Sequence, residues 1–273
     1  MKKLLLPLLI LCLAFVAKAQ SVDTIAVYSP SMDKNISSLV ILPAAYDGNR
    51  EFPVLYLLHG YGGNHETWLN IKPDLPELAS LHEMIIVCPD GARSWYWDSP
   101  VDSTLRYETF VASELVSDID ARYKTVGSPK GRAVTGLSMG GQGGLWLGFR
   151  HQDVFGACGS TSGGVDIRPF PDSWDMKKSL GEYSEHPENW ENHTIASLLP
   201  GVKSGMPIII DCGTSDFFYP VNEKLHSELL YRNIRHEYIS RPGVHRNAYW
   251  AISIEPQLLF FANFFKGKPV YQQ

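Results

Sequence analysis

The sequence predicts an α/β fold: a mostly parallel central sheet with helices on both faces and antiparallel strands at its N-terminal edge. Three observations lead there. Short apolar runs alternate with helical patterns along the chain, the arrangement of a parallel sheet covered by helices. Several runs, such as Ile208-Ile209-Ile210, are apolar throughout, as strands covered on both faces must be. The earliest runs are separated by the turn signals Pro30, Asn35 and Asp47-Gly48, which fits hairpin strands at a sheet edge.

Taken in order, the strands fall at Thr24–Tyr28, Ser38–Leu42, Val54–Leu58, Met84–Cys88, Ala133–Thr135, Gly156–Ser160, Pro207–Asp211 and Glu237–Ser240. A helix over Glu108–Arg122 rests on Val111, Leu115 and Ile119 recurring at helical spacing. Further helices fit Met139–Arg150, Val221–Arg232 and Ile254–Phe265. The stretch Phe170–Leu199 breaks the rhythm, with prolines, Trp174, Trp190, many polar residues and no clear strand. It is longer than an ordinary connection and reads as a surface insertion, either a lid beside a site or a passive excursion.

Composition bounds the function. The chain has 273 residues, 44% hydrophobic and 19% charged, which suits one globular domain and excludes a disordered chain. Residues 1–19 carry Lys2, Lys3 and Lys18 and no acid, so 21 basic residues face 29 acidic ones from Gln20 onward, a balance of −8. Clustered Lys and Arg are missing, and nucleic acid is therefore not an expected partner. Met1-Lys2-Lys3, the apolar run Leu4–Val16 and the small residues of Ala17-Lys18-Ala19 read as a signal peptide over residues 1–19. The expectation is an exported protein, periplasmic or extracellular, whose residues 20–273 form one domain with no membrane span. Cys88, Cys158 and Cys212 sit in apolar, strand-like contexts and read as free thiols packed in a sheet. No Cys/His spacing suits zinc, and neither a dinucleotide fingerprint nor a P-loop occurs, so no metal and no cofactor is expected.

Gly136-Leu137-Ser138-Met139-Gly140 follows the apolar run Ala133-Val134-Thr135 and opens a helical stretch. That strand–turn–helix context is what a nucleophile elbow requires, with glycines permitting the tight turn that exposes the Ser138 hydroxyl. The Met139 N–H then lies where a developing oxyanion would sit. A serine needs a base and an orienting acid, which in this kind of fold follow it in the order acid, then histidine. Of the later histidines only His245 occupies a late loop after a strand, just before the final helix. Asp211 and Asp216 compete as the acid. Asp211 belongs to the strand, whereas Asp216 lies in the turn beyond its C-terminal end, where ligand sites of open α/β sheets form, and is favoured. The Gly-rich stretch His59-Gly60-Tyr61-Gly62-Gly63 follows an earlier strand and offers the Tyr61 N–H as a second oxyanion donor, with His59 a structural hydrogen-bonder. Trp95-Tyr96-Trp97 follows another strand, and Trp95 and Trp97 are candidate surfaces for a sugar ring or an aromatic acyl group.

Together, His59-Gly60-Tyr61-Gly62-Gly63, Gly136-Leu137-Ser138-Met139-Gly140-Gly141, Asp211-Cys212-Gly213 with Asp216, and Pro242-Gly243-Val244-His245 followed by Tyr249-Trp250 resemble the esterase D-like branch of the α/β hydrolases. That branch includes S-formylglutathione hydrolases, tributyrin-type esterases, mycolyltransferases, and the feruloyl and acetyl xylan esterases of carbohydrate esterase family one. The resemblance implies an α/β-hydrolase fold, Ser138 as nucleophile, His245 as base, Asp216 as acid, and Tyr61 and Met139 as oxyanion donors. Relatives often carry Pro-Gly-Gly-His-Asp-Trp around the histidine, where this chain has Val244 and Arg246-Asn247. The expected activity is that of a secreted serine carboxylesterase on short-chain or aromatic acyl esters, with a small ester or acylated oligosaccharide as substrate. S-formylglutathione hydrolase-like or acyltransferase chemistry on the same residues is the alternative. A hydrolase scaffold kept only to bind a glycan or protein is a rival of another class, and it would usually have lost one of the three residues.

Overall fold

The computed structural model describes residues 20–271. The expected signal peptide, residues 1–19, lies outside the described residues. Among these residues the strands are β1 (Ser21–Ser29), β2 (Lys34–Leu42), β3 (Val54–Leu58), β4 (Ile85–Pro89), β5 (Arg132–Gly136), β6 (Ala157–Thr161), β7 (Ile208–Gly213) and β8 (Glu237–Arg241). They form one sheet in the order β1-β2-β4-β3-β5-β6-β7-β8. β1 pairs antiparallel with β2, and β2 antiparallel with β4; every other neighbouring pair is parallel. The expected α/β-hydrolase architecture, with its antiparallel N-terminal edge, is what the chain adopts.

The helices are α1 (Thr67–Ile71), α2 (Leu75–His82), α3 (Tyr107–Thr109), α4 (Val116–Arg122), α5 (Met139–Arg150), α6 (Met176–Leu180), α7 (Pro187–Asn192), α8 (Ile195–Leu198), α9 (Tyr219–Tyr231) and α10 (Asn247–Phe265). A π-helical turn, Phe110–Leu115, joins α3 to α4 within the stretch expected as one helix. β3 shows how the sheet feeds two cores. Val54, Tyr56 and Leu58 pack on the side of Phe110, Leu145 and Trp146, whereas Leu55 and Leu57 pack on the side of Trp68, Leu75, Ile254 and Leu258. The period of two sends alternate side chains to opposite faces, and both faces are dry, so every position is apolar.

Besides the π turn, the longer β1 and β2 and the helices α1 and α2, which the sequence pattern does not predict, two stretches differ from expectation. α10 begins at Asn247, about two turns before Ile254. Pro256 fits the first turn of a helix, where its missing N–H costs nothing, and that suits a start near Ile254. Instead the helix carries Pro256 in its interior, with Ile252 one turn earlier on the exposed surface. The stretch Phe170–Leu199 is neither strand nor loose excursion. It folds into α6, α7 and α8, and Met176, Leu180, Trp190, Ile195 and Leu199 are buried against the main core. Cys88, Cys158 and Cys212 are free and buried, and burial pushes each thiol up from its ordinary pKa.

Candidate active site

β3, β5, β6, β7 and β8 run parallel, so the loops that follow them leave one edge of the sheet. The loop after β3 carries Tyr61, the turn after β5 carries Ser138, and the loops after β7 and β8 carry Asp216 and His245. Four chain segments far apart in sequence therefore converge at the C-terminal edge, where open α/β sheets place ligands.

Ser138 stands between β5 and α5 with φ 57° and ψ −117°, a left-handed conformation that is strained for a serine. The surroundings hold it there. Its N–H donates to the Thr161 carbonyl at 2.9 Å, and its carbonyl accepts from the Gln142 N–H at 3.0 Å. The flanking glycines are steric necessities: a Cβ on Gly136 would lie 2.5 Å from the Leu58 carbonyl oxygen, and one on Gly140 2.4 Å from the same atom. Any side chain there would push α5 off the sheet and move the serine.

The Ser138 hydroxyl lies 2.9 Å from His245 Nε2. On the far side of the imidazole, His245 Nδ1 lies 2.8 and 3.0 Å from the two carboxylate oxygens of Asp216. A carboxylate only accepts, so Nδ1 carries the proton and Nε2 is left as the acceptor for the serine hydroxyl. The Asp216 side chain is fully buried, and Oδ1 also accepts from the Phe218 N–H at 2.8 Å. Serine, histidine and aspartate are thus brought together in the order expected from the sequence.

Asp211 faces elsewhere. Its Oδ1 accepts from the Tyr249 hydroxyl at 2.5 Å, and its Oδ2 pairs with the Arg241 guanidinium. Arg241 ends β8 and Tyr249 lies in the first turn of α10, so Asp211 ties both ends of the loop that carries His245. Burial lifts the Asp211 carboxyl above the ordinary carboxylate pKa, against the opposing pull of Tyr249 and Arg241.

On the other side of the serine, Met139 is the first residue of α5, so its N–H has no acceptor within the helix and shares the positive end of the helix dipole. The β3 loop passes close by: a Cβ on Gly60 would lie 3.3 Å from Ser138 Cβ, and Tyr61 follows it. His59 is buried, with Nδ1 2.7 Å from the Gly60 carbonyl and Nε2 accepting the Gly91 N–H at 2.7 Å. It braces this loop against the loop after β4, a structural role.

Residues 29–261 match the family described as "Putative esterase". The chain belongs to that esterase family. An esterase of Mycobacterium tuberculosis (strain ATCC 25618 / H37Rv) is 35% identical over 133 residues, covering 47% of this chain and only 29% of that relative's length. An acetyl esterase of Caldicellulosiruptor saccharolyticus is 24% identical over 244 residues, 82% of this chain and 91% of its own. Among solved structures, a ferulic acid esterase superposes with a TM-score of 0.77 at 26% identity, over 90% of this chain and 99% of that one.

In this family member Trp95 and Trp97 are not a surface for a substrate. Their relative exposures are 1% and 0%, and the two indoles stack on each other at 5.5 Å. Trp146 and His193 close over Trp97, and Trp174 closes over Trp95. Sequence shows three adjacent aromatics but not the distant rings that cover them. The exposed aromatic beside the site is Phe217, whose ring centroid lies 4.3 Å from that of His245. Its signal was the pair Phe217-Phe218 directly after Asp216.

Trp174 stacks on Phe217, and the next residue, Asp175, accepts from the Tyr61 hydroxyl at 2.6 Å. The stretch expected as an insertion therefore touches both the histidine side and the Tyr61 side of Ser138. Burial, followed by the bond to Asp175, raises the Tyr61 hydroxyl pKa and keeps it a donor. Among the described residues, no group of three His, Cys, Asp or Glu side chains is placed to hold a metal ion, and no helix is long and apolar enough to cross a membrane.

Proposed function

We propose that the protein is a serine carboxylesterase in which Ser138 is the nucleophile, His245 the general base and then acid, and Asp216 the residue that orients the imidazole. The observation that carries this reading is the continuous line from Ser138 Oγ through His245 to Asp216, at 2.9 and 2.8 Å. Ser138 Oγ attacks the ester carbonyl while its proton passes to Nε2. The Tyr61 and Met139 amides stabilise the oxyanion, the alcohol leaves with the proton from Nε2, and water then releases the acid from the acyl-enzyme.

The preferred esters are short-chain or aromatic acyl groups on carbohydrates. Support comes from the acetyl esterase and ferulic acid esterase among the similar proteins. A cavity of about 500 Å³ beside the Tyr61 loop has room for either part of such an ester: Leu105 and Tyr107 give it an apolar wall, and Asp90, Arg93, Asp175 and Lys178 give it hydrogen-bonding groups. The leader-like residues 1–19 support export, which N-terminal sequencing of protein recovered from the periplasm or medium would test. The activity itself is tested by turnover of p-nitrophenyl acetate and of acetylated and feruloylated oligosaccharides by the wild type and by Ser138→Ala. The variant loses about 10³-fold or more in kcat with an unchanged fold. An active Ser138→Ala enzyme contradicts the mechanism.

A further inference from the structure

The proton path fixes where the leaving alcohol must lie. When the tetrahedral intermediate collapses, the bond between the carbonyl carbon and the alcohol oxygen breaks, and its electron pair stays on that oxygen. The oxygen takes the proton that Nε2 received from Ser138; the acyl group stays on Ser138, and His245 is neutral again. That transfer requires the alcohol oxygen within hydrogen-bond reach of Nε2, about 3 Å. The carbon skeleton attached to it must then pass over whatever surrounds the imidazole.

Three aromatic rings surround it. Trp250 meets it edge-on at 4.9 Å and Phe218 at 5.5 Å, and both are buried, at 9% and 1% exposure. Phe217, at 4.3 Å, is 48% exposed and presents an open ring. It is not a loose side chain. Trp174 stacks on it at 5.6 Å with an interplanar angle of 20°, and Trp174 is itself held by Phe170, Phe218 and Trp95. Trp174 and Asp175 are both left-handed, with φ 49° and 53°, and Asp175 is fastened by Tyr61, Arg93 and Lys178. Two adjacent non-glycine residues in that conformation persist only where the surroundings over-determine them.

We propose that Phe217, backed by Trp174, is the specificity-determining surface for the alcohol portion of the ester, and that it selects ring alcohols able to lay a flat C–H face on it, sugar rings above all. The proposal rests on the esterase reading above and deepens it by assigning the alcohol side. An acyl-enzyme has already lost the alcohol, so the contact between Phe217 and the alcohol acts on acylation.

The test varies the alcohol at constant acyl group, comparing methyl acetate with monoacetylated methyl xyloside. Phe217→Ala lowers the ratio of kcat/KM for the sugar acetate over that for methyl acetate by about fivefold to tenfold, the worth of one aromatic stacking contact. Phe217→Trp keeps the ratio near the wild-type value. Phe217→Leu, which retains bulk without a flat face, behaves as the alanine variant. Ratios are taken within one variant, so partial loss of folded enzyme cancels. An unmoved ratio in Phe217→Ala, or a ratio restored by leucine, overturns the proposal alone. A wild type that hydrolyses neither these acetates nor the matching pair of methyl ferulate and feruloylated methyl xyloside overturns the esterase reading and this subsite with it.

Discussion

Asp211 and Asp216 stand on either side of the same strand end, both are almost fully buried, and they do different work. Asp216 presents its carboxylate to the imidazole of His245, whereas Asp211 presents its own to Arg241 and Tyr249 at the two ends of the His245 loop. The difference comes from direction. β7 runs to Gly213, and Asp211 is still in the strand, on the same face as Ile209, where α10 and the end of β8 bring Tyr249 and Arg241 to it. Asp216 comes after the chain has turned, over the edge where Ser138 stands. A buried carboxylate near a serine and a histidine is thus not by itself the acid of the site; which ring nitrogen it reaches decides.

The contrast can be broken most sharply by removing one charge at a time. Asp216→Asn lowers kcat at neutral pH by on the order of 10³–10⁴-fold, because an amide neither fixes the tautomer nor stabilises the imidazolium. Asp211→Asn lowers kcat far less and shows itself as about 1–3 kcal/mol of lost stability in denaturant unfolding, the result of a weakened buried hydrogen-bond pair. A folded but inactive Asp211 variant beside an active Asp216 variant would reverse the assignment.

A second pair of regions repeats the lesson. Trp97 and Phe217 are both aromatics on loops at the active edge, but Trp97 is wrapped by Trp95, Trp146 and His193 while Phe217 keeps nearly half its surface. Trp97→Ala therefore costs about 3–5 kcal/mol of stability by leaving a cavity, with the preference among esters unchanged in the folded fraction. Thermal unfolding together with the kcat/KM profile checks both halves of that statement.

Glu108 adds a third buried carboxylate, remote from the serine. Burial pushes its pKa up, but hydrogen bonds from His151, Arg150 and Trp146 outweigh it and take the group from 4.5 to about 2. A depressed carboxylate contributes stability that is whole above about pH 4.5 and drains away as pH falls through 2. Glu108→Gln is expected to be less stable at neutral pH and to show a flatter acid dependence between those limits, measured by denaturant unfolding across pH. An unaltered pH slope would show that the hydrogen bonds do not hold the charge.

How much of this could be read from the chain depends on how local each signal is. Ser138, His245 and Asp216 were legible because each sits in a short motif at the end of a strand, and the strands announce themselves by apolar runs. The sheet edge and the two-sided core were legible for the same reason. The burial of Trp95 and Trp97 was not, since it depends on Trp146, Trp174 and His193, which arrive from other elements. The early start of α10 was hidden by Pro256, and the helices of the Phe170–Leu199 stretch are too short to show a period. Asp211's grip on the histidine loop needs three residues that only the fold brings together.

The central claim is that a covalent acyl-enzyme forms on Ser138 with His245 and Asp216 driving it. Rapid quenching of the enzyme with p-nitrophenyl acetate, followed by peptide mass analysis, tests this directly. The account predicts an acetyl group on the peptide that carries Ser138, absent in Ser138→Ala and formed far more slowly in Asp216→Asn. An acetyl group on another residue, or ester turnover by Ser138→Ala, would contradict it.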